Sequence, residues 1–245
     1  MQPITIVTGG SRGIGAATAR LCGEYGHAVC VAYRSEAALA EQIAADIKGK
    51  GGNAIAVQAD TAKEADVIRL FETADRDLGR VTGLVNNAGI HGPRGRLEKL
   101  SASDIEAVLR VNVAGYFLCA REAIKRMSTE HGGSGGSIVN VSSGSANNGS
   151  PNEGVLYAAS KGAVNSLTIG LAQEVAKNGI RVNTVSPGLT SPGMPPAEKV
   201  AEIAPRLPMG RAGRPEEIAE AICWLLSEKA SYTSAANLRV GGGRP

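Results

Sequence analysis

The chain has 245 residues, a length that suits one α/β domain with a sizeable core better than two domains. Its formal charge of +3 is small and its basic residues are dispersed, which argues against a nucleic-acid-binding protein. Aromatic residues make up only 3% of the chain, while glycine is frequent, at 32 residues. We therefore predict a core of small aliphatic side chains and tight turns between elements.

The cysteines have neither the spacing of a metal site nor the density of a disulfide framework. We expect buried, reduced thiols in a cytoplasmic protein, and no bound metal. No apolar run approaches the roughly 20 residues that span a bilayer, and a strand beginning at Ile4 leaves no room for a signal peptide, so we expect no membrane association. The four cysteines are Cys22, Cys30, Cys119 and Cys223.

The first predicted strand, Ile4–Thr8, runs into a glycine-rich turn and then a helical pattern over residues 16–25. A strand, a turn of small residues and a helix amino terminus form an anion site, because free N–H groups face the ligand. The glycines at 9, 13 and 15 do not follow the GxGxxG spacing, so the turn alone is a weak indication. The turn is a stronger indication of an anion site because it lies at the first strand-to-helix connection.

The second predicted strand, Ala28–Tyr33, is followed by Arg34 and Ser35, with no carboxylate before Glu36. In dinucleotide-binding folds a carboxylate at this place binds the adenosine ribose, whereas an arginine accommodates a 2′-phosphate. Arg12, in the glycine-rich turn, adds a second cation. Because guanidinium groups pair well with phosphate, the pattern favours NADP(H) over NAD(H).

A third strand is predicted over residues 54–58 and ends at Asp60 and Thr61; Asp60 could bind an adenine amino group or cap the helix that starts near residue 62. A fourth strand, Gly83–Asn86, runs into the segment Asn87-Ala88-Gly89. Strands that alternate with helices in this way predict right-handed crossovers and a parallel sheet.

A long helix is predicted over residues 101–127, with Asn112 in its interior. Asparagine is a poor residue inside a helix, because its amide competes for backbone groups. This mild cost indicates that Asn112 has a use.

The richest stretch for chemistry lies between Ser142 and Lys161. A buried strand over residues 137–141 ends at Ser142 and Ser143, and a following helix carries Tyr157 and Lys161. Residues i and i+4 share a helix face with an axial rise of about 6 Å, so the phenol and the amine point into the same space. A phenol, an ammonium and a hydroxyl at a strand end can move a proton on and off a substrate oxygen.

The rest of the chain predicts a sixth strand over residues 180–186 that ends at Pro187 and Gly188, a lid over residues 188–208, a helix over Pro215–Leu226 and a last strand over residues 235–240. The proposed lid is rich in proline and lacks a clear period. No composition shift or repeat breaks the chain, so we predict one Rossmann-type domain over residues 1–245.

Several of the motifs described above occur in order across most of the chain, and together they closely resemble the short-chain dehydrogenase/reductase family. They are the glycine-rich turn at residues 8–15, the segment 86–89, Asn112, Ser143, the helix with Tyr157 and Lys161, and Pro187-Gly188. The nearest members are sugar dehydrogenase-like and 3-oxoacyl carrier-protein reductase-like proteins. The resemblance implies an α/β fold, a doubly wound, seven-stranded parallel sheet with helices on both faces. It also implies homotetramers that assemble through the helices near residues 101–127 and 157–177.

The resemblance assigns catalysis to Asn112, Ser143, Tyr157 and Lys161, with Ser142 as the alternative to Ser143. Tyr157 is expected to exchange a proton with the substrate oxygen, to which Ser143 donates a hydrogen bond, while Lys161 lowers the tyrosine pKa and holds the cofactor ribose. Asn112 is expected to hold a water molecule that links Lys161 to solvent. The expected cofactor-binding residues are Gly9, Ser11, Arg12, Gly13, Ile14, Gly15, Arg34, Ser35, Asp60, Thr61, Asn87, Ala88, Gly89, Tyr157, Lys161, Pro187, Gly188 and Thr190.

We therefore predict an oxidoreductase that transfers a hydride between NADP(H) and a small-molecule carbonyl or secondary alcohol. One alternative is a 3-oxoacyl thioester reductase, for which Arg121, Lys125 and Arg126 could dock an acidic carrier. The other is an NADP(H)-binding sensor without turnover, against which the complete catalytic set argues.

Two further regions of the chain lie outside these assignments. His91 and the polar residues of the 144–156 loop, among them Asn147, Asn148, Asn152 and Glu153, are candidates to contact a hydroxylated substrate. Thr233-Ser234 and the segment 237–240 depart from the family pattern, which leaves the packing of the last strand open.

Overall fold

Seven parallel strands form one sheet in the order β3-β2-β1-β4-β5-β6-β7. The structure is a computed structural model that describes residues 2–194 and 196–244. Met1, Pro195 within the predicted lid, and Pro245 lie outside the described residues. The predicted doubly wound parallel sheet is confirmed. The strands are β1 (Ile4–Thr8), β2 (Ala28–Tyr33), β3 (Asn53–Gln58), β4 (Gly83–Asn86), β5 (Gly136–Val141), β6 (Ile180–Pro187) and β7 (Asn237–Val240).

Helices cover both faces of the sheet because successive side chains of a strand point to opposite sides. Ile6 joins a core beneath α3, α5 and α7, whereas its neighbour Val7 joins a core beneath α1, α2 and α9. Both residues are fully buried. The helices are α1 (Gly13–Glu24), α2 (Ala37–Gly49), α3 (Glu64–Asp77), α4 (Ala102–Leu109), α5 (Gly115–Met127), α6 (Ser145–Asn148), α7 (Val155–Val175), α8 (Ala197–Ile203) and α9 (Pro215–Leu226).

The helix predicted over residues 101–127 is interrupted by one π-helical turn, Arg110–Ala114, between α4 and α5. Ser101 begins α4 with a capping box, in which its hydroxyl accepts from the Asp104 N–H and the Asp104 carboxylate accepts from the Ser101 N–H. Asn112 lies inside the π turn and is fully buried. The poor helix propensity of Asn112 thus coincides with a real interruption of the α-helix. Such π turns occur often at functional sites.

The unusual carboxyl-terminal segment packs as a regular strand. β7 pairs in parallel with β6 from Thr184↔Asn237 to Pro187↔Val240. Asn183 Nδ2 donates to Thr233 O at 2.7 Å, and Ser234 Oγ accepts from Val182 N at 3.2 Å. Hydrogen bonds to β6 therefore hold the segment in which the sequence departs from the family pattern.

The connections around the sheet contain short helices that the sequence pattern did not indicate. α8 lies within the predicted lid and α6 lies within the 144–156 loop. Both are too short to show a clear hydrophobic period. No helix among the described residues is long and apolar enough to cross a membrane.

All four cysteines are buried and free. Cys22 on α1 and Cys223 on α9 bring their Sγ atoms to 3.6 Å of each other. Burial raises the pKa of the Cys119 thiol to about 12, so that thiol is not ionised at neutral pH. These observations agree with the prediction of buried thiols.

Candidate active site

A single cavity of about 960 Å³ runs along the carboxyl ends of the strands, from the glycine-rich turn after β1 to Tyr157 on α7. This is the edge at which ligands bind in doubly wound sheets. All predicted site residues line it except Gly15 and Asn112, which lie beneath its wall. The lining at the predicted cofactor end is Gly9, Ser11, Arg12, Gly13, Ile14, Arg34, Ser35, Asp60, Thr61, Asn87, Ala88, Gly89, Pro187, Gly188 and Thr190.

The glycine-rich turn is shaped as a cradle for an anion. Gly9 and Gly13 have positive φ angles of 62° and 53°, which side chains rarely adopt. A Cβ on Gly15 would lie 2.6 Å from Asn87 Nδ2, so only glycine fits there. Because α1 begins at Gly13, its free N–H groups face this end of the cavity and fit the diphosphate of a dinucleotide.

Asn87 connects this cradle to the segment after β4. Its Nδ2 donates to Thr8 O at 2.9 Å and to Gly9 O at 3.1 Å. The Thr8 hydroxyl in turn accepts from the Asn87 and Ala88 N–H groups, at 2.9 and 3.1 Å. The sequence placed Asn87 among the cofactor-binding residues, and the structure shows that its side chain orders the backbone of the turn.

Two predicted cofactor residues at the far end carry exposed guanidinium groups. Arg12 and Arg34 both line the cavity, and neither forms an ion pair with a described residue. Asp60 lies beside them, with Oδ1 accepting from the Ala62 N–H at 3.0 Å. The helix-capping role considered for Asp60 is wrong, because α3 begins at Glu64 after Lys63 and has no side-chain capping bond. Asp60 lines the cavity, and its contact with an adenine amino group remains a prediction.

Asn112 fastens the segment that follows Gly89. Its Oδ1 accepts from the Ile90 N–H at 2.9 Å, and its Nδ2 donates to Ile90 O at 2.8 Å and to Ser160 Oγ at 3.0 Å. A Cβ on Gly89 would lie 3.3 Å from Asn112 Oδ1 and 3.6 Å from Lys161 Nζ, so a glycine keeps this space open. The water-holding role of Asn112 remains a prediction.

Tyr157 and Ser143 face each other at the other end of the cavity. Burial raises the pKa of Tyr157, and a hydrogen bond with the Ser143 side chain acts in the opposite direction. Ser142 is buried, and its hydroxyl donates to Lys161 O at 3.0 Å. Ser142 thus holds α7 against β5, which favours Ser143 for contact with a substrate.

Lys161 is buried in a pocket of neutral acceptors. Its Nζ donates to Val141 O at 2.7 Å and to the Tyr116 hydroxyl at 3.0 Å. Burial lowers the pKa of Lys161 to about 7, so the amine is only partly charged at neutral pH. Nζ lies 5.9 Å from the centre of the Tyr157 ring.

The expected lowering of the Tyr157 pKa, by Lys161 with help from oxidised nicotinamide, remains a prediction. The tyrosine pKa is raised, because burial outweighs the hydrogen bond from Ser143. Burial also opposes the charge on Lys161, which weakens the cation that the sequence argument relied on. The prediction therefore depends on the positive charge that oxidised nicotinamide would add beside the phenol.

Tyr116, on α5, is a site residue that the sequence analysis missed. It is only 1% exposed, and its hydroxyl donates to Val141 O at 3.0 Å while accepting from Lys161 Nζ. The ammonium also lies over its ring, 4.9 Å from the centre. Its spacing of four residues from Asn112 was the available signal, since i and i+4 side chains share a helix face.

The substrate end of the cavity is lined by polar and charged groups around Tyr157. The imidazole of His91 stacks on the Tyr157 ring, with centroids 4.9 Å apart and planes 17° apart. Glu153 forms an ion pair with Lys199 of α8, which connects the 144–156 loop to the predicted lid. Asn148 also lines the cavity, whereas Asn147 and Asn152 do not.

The basic residues considered for an acidic carrier are occupied by ion pairs. Arg126 contacts Glu122 and Asp75, Lys125 contacts Glu122, and Arg121 contacts Glu122 and Glu64. Burial opposes ionisation of Glu122, but hydrogen bonds from Lys125 and Arg126 outweigh it and lower the Glu122 pKa. This face is therefore largely neutralised within the chain.

Comparison with known families agrees with the site. Residues 9–244 match the family model described as Enoyl-(Acyl carrier protein) reductase. The oxidoreductase YgfF of Escherichia coli (strain K12) is 47% identical over 98% of this chain and 99% of its own length. Cis-4-hydroxycyclohexanecarboxylate dehydrogenase of Sinomonas cyclohexanicum is 39% identical over 99% of this chain and 96% of its own.

The chain belongs to the short-chain dehydrogenase/reductase family. It is an oxidoreductase, as the predicted motifs indicated. Its relatives include glucose 1-dehydrogenase 2 of Bacillus subtilis (strain 168), 37% identical over 97% of this chain and 93% of its own. They also include 3-oxoacyl-[acyl-carrier-protein] reductase of Synechocystis, 35% identical over 98% of this chain and 96% of its own.

A solved structure of this family carries the same fold. The blue fluorescent protein from a metagenomic library, crystallised in complex with NADPH, superposes with a TM-score of 0.91 at 35% identity. The superposition covers 98% of this chain and 97% of that one. The family and the fold are thus both established.

Proposed function

We propose that this oxidoreductase transfers a hydride between NADP(H) and a small-molecule carbonyl or secondary alcohol, with Tyr157 as the general acid and base. The observation that supports it most is the convergence of Tyr157, Ser143 and Lys161 at one end of a cavity whose other end is the Gly9–Gly15 turn. A bound nicotinamide dinucleotide supplies the hydride in reduction and accepts it in oxidation.

In the reductive direction, Tyr157 gives its phenolic proton to the carbonyl oxygen as negative charge develops there. Ser143 donates a hydrogen bond to the same oxygen. Lys161 would hold the cofactor ribose with the one N–H that Val141 and Tyr116 leave available. Asn112 supports the floor of the site through its two hydrogen bonds with Ile90. In the proposed mechanism it would also hold a water molecule that links Lys161 to solvent.

The preference for NADP(H) over NAD(H) rests on Arg12 and Arg34. Both guanidinium groups line the adenosine end, where a 2′-phosphate would lie, and no described carboxylate pairs with either. The NADPH bound by the metagenomic relative supports the same choice. The wider cofactor set proposed from the sequence includes Ser35, Thr61 and Thr190, all of which face this cavity.

A 3-oxoacyl thioester reductase is the second candidate, because the relatives include a protein of that name. The ion pairs that occupy Arg121, Lys125 and Arg126 reduce the support for docking an acidic carrier on that face. Reduction of free thioesters does not require this face and remains open to assay.

The proposal is tested by following NADPH and NADH absorbance over a panel of aldehydes, ketones, diketones, sugars and acyl thioesters. Wild-type protein should turn over at least one carbonyl with NADPH. Tyr157→Phe should lose nearly all turnover and retain cofactor binding. Tight NADPH binding without turnover on any carbonyl would identify a sensor instead, and full activity of Tyr157→Phe would contradict the mechanism.

The proposal also includes residues 188–208 as a substrate lid and a homotetrameric assembly. Met194, Lys199 and Ile203 line the cavity from this segment, which supports a lid. Large apolar side chains on α5 and α7 are exposed, which supports assembly through these helices. A cytoplasmic location stays a prediction of the sequence.

A further inference from the structure

His91 occupies a place in the cavity wall that the mechanism does not use. It follows Ile90, the residue fastened by Asn112, and its imidazole stacks almost parallel to the Tyr157 ring, with 4.9 Å between the centroids. The side chain lines the same cavity as Tyr157. An imidazole held against the proton-transferring phenol lies beside any substrate whose oxygen that phenol contacts.

Gly154, at the start of α7, makes room for this imidazole. A Cβ on Gly154 would lie 3.0 Å from both Cε1 and Nε2 of His91, closer than ordinary van der Waals contact. Gly154 is buried, and its φ of −163° is not in the positive range that favours glycine. The lack of a side chain at Gly154 therefore serves the space that His91 fills.

The hydrogen-bonding state of the ring follows from its neighbours. Nδ1 lies 3.3 Å from Gly92 O, which can only accept, so Nδ1 carries the proton of the neutral ring and Nε2 is the acceptor. No described residue hydrogen-bonds Nε2. Burial and then Arg94 lower the His91 pKa; Lys199 also lowers it, whereas the hydrogen bond with Gly92 and the charge of Glu153 act in the opposite direction.

We propose that His91 determines substrate specificity, with Nε2 accepting a hydrogen bond from a hydroxyl group on the carbon next to the reacting carbon. This rests on the proposed function, because it takes Tyr157 as the group that contacts the reacting oxygen. The substrate class is then a vicinal hydroxycarbonyl in reduction and a vicinal diol in oxidation. The remaining lining agrees with a polar substrate, since Asn148, Ser150 and Glu153 face the same end.

The test compares two ketones that differ by one hydroxyl group, 2-hydroxycyclohexanone and cyclohexanone, with NADPH as the cofactor. The ratio of their kcat/KM values for wild-type protein should favour the hydroxyketone by about three- to tenfold, the value of one neutral hydrogen bond. His91→Phe preserves a flat ring against Tyr157 but has no nitrogen, so it should bring this ratio close to one.

A second variant displaces the His91 imidazole without replacing the histidine. Gly154→Ala places a methyl group where the ring lies, so it should lower the ratio in the same direction as His91→Phe. Combining the two changes should have no further effect on the ratio, because both remove the same contact. Circular dichroism and thermal unfolding show whether each variant is folded.

Two matched controls isolate the effect. His131→Phe removes an exposed imidazole far along the chain, and Gly49→Ala adds a methyl group where no atom lies within 4 Å. Both should leave the ratio at its wild-type value.

The outcomes separate this inference from the proposed function. Turnover of both ketones with a ratio near one in wild type, or an unchanged ratio in His91→Phe, would overturn the role of His91 and leave hydride transfer intact. Absence of turnover on every carbonyl would refute the proposed function, and the role of His91 with it. A preference lost in both His91→Phe and Gly154→Ala but kept in the controls supports the inference.

Discussion

At the scale of single residues, the site depends on how the charged form of the buried Lys161 amine is stabilised. Lys161 has no carboxylate partner among the described residues, and its Nζ is held by a carbonyl and a phenol. Hydrogen bonds to the charged form oppose the desolvation that lowers its pKa to about 7. Tyr116 keeps its own proton, because burial raises its pKa well above the usual value, so its hydroxyl stays neutral and accepts a hydrogen bond from Lys161.

Tyr116→Phe should therefore lower the Lys161 pKa further, since it removes one acceptor from the ammonium. A lowered pKa means that the amine loses its charge at a lower pH, so NADPH affinity should begin to weaken about one pH unit earlier as the pH rises. The measurement is the dissociation constant of NADPH across neutral pH, by fluorescence. Tyr25→Phe, which removes an exposed hydroxyl paired with Glu220, is the matched control.

An unchanged pH profile in Tyr116→Phe would show that the phenol only fills space beside Lys161. Folding must be checked in parallel, because the Tyr116 hydroxyl also donates to Val141 O. A shifted profile with unchanged unfolding behaviour is the result that assigns a positioning role.

Cofactor choice is a second prediction at this scale. Arg34→Asp replaces an exposed cation at the adenosine end with an anion, so NADPH should bind much more weakly while NADH loses little or gains. The ratio of the two dissociation constants should change by at least about tenfold, the equivalent of one charge-assisted hydrogen bond. Equal weakening of both cofactors would contradict the assignment, and Arg69→Asp provides a control away from the cavity.

The sequence predicted most of the residues that line the cavity at the strand ends, but not how they contact each other. Local spacing is enough to find these features. Tyr157 and Lys161 lie on one helix, and the glycines lie in one strand-to-helix turn. Tyr116 meets Lys161 only because α5 and α7 pack on the same face of the sheet. Contacts between residues 45 positions apart depend on that packing, which no local pattern contains.

At the scale of elements, specific side chains stabilise the amino terminus of α9. α9 begins after Arg214, whose N–H donates to Glu217 Oε2 at 2.8 Å. Arg211 adds two hydrogen bonds to the same carboxylate, at 2.7 and 2.8 Å. The hydrogen bond from Arg211, followed by that from the Arg214 backbone, lowers the Glu217 pKa to about 2.

Glu217→Gln should lower stability at neutral pH. Since the folded pKa lies below the ordinary glutamate value of 4.5, the contribution of the carboxylate is complete above pH 4.5 and disappears as the pH falls towards about 2. The difference in urea midpoint between variant and wild type should therefore be largest at neutral pH and shrink below about pH 4.5. Glu216→Gln, in the same helical turn, is the control; a difference that does not depend on pH would contradict the argument.

Element boundaries were predictable where strong start and stop residues exist. Pro215 and the paired glutamates mark the start of α9, which matches the predicted range. The π turn around Asn112 was not predicted as such, because one extra residue in a helix leaves the hydrophobic pattern nearly unchanged over a short stretch. α8 is seven residues long and lies among prolines, so it has too few turns to show a period.

At the scale of the whole molecule, one of the two helix layers exposes large apolar side chains on three of its helices. α4, α5 and α7 lie on one face of the sheet, and they expose the large apolar side chains of Leu109, Phe117 and Ile169. Phe117 and Ile169 are both 52% exposed. Burying such a side chain contributes about 1.5–3 kcal/mol, so contact between copies of the chain would stabilise this surface.

We expect this face to carry the proposed homotetramer, and a charge placed on it should break the assembly. Phe117→Glu and Ile169→Glu should shift the protein from a tetramer to smaller species, because a carboxylate is costly to bury without a partner. Light scattering after size-exclusion chromatography measures the mass, and circular dichroism checks that the fold persists. Leu39→Glu, which changes a 49% exposed leucine on α2 in the opposite layer, should leave the mass unchanged. A wild-type monomer, or tetramers that persist in both variants, would show that this apolar face is not the interface.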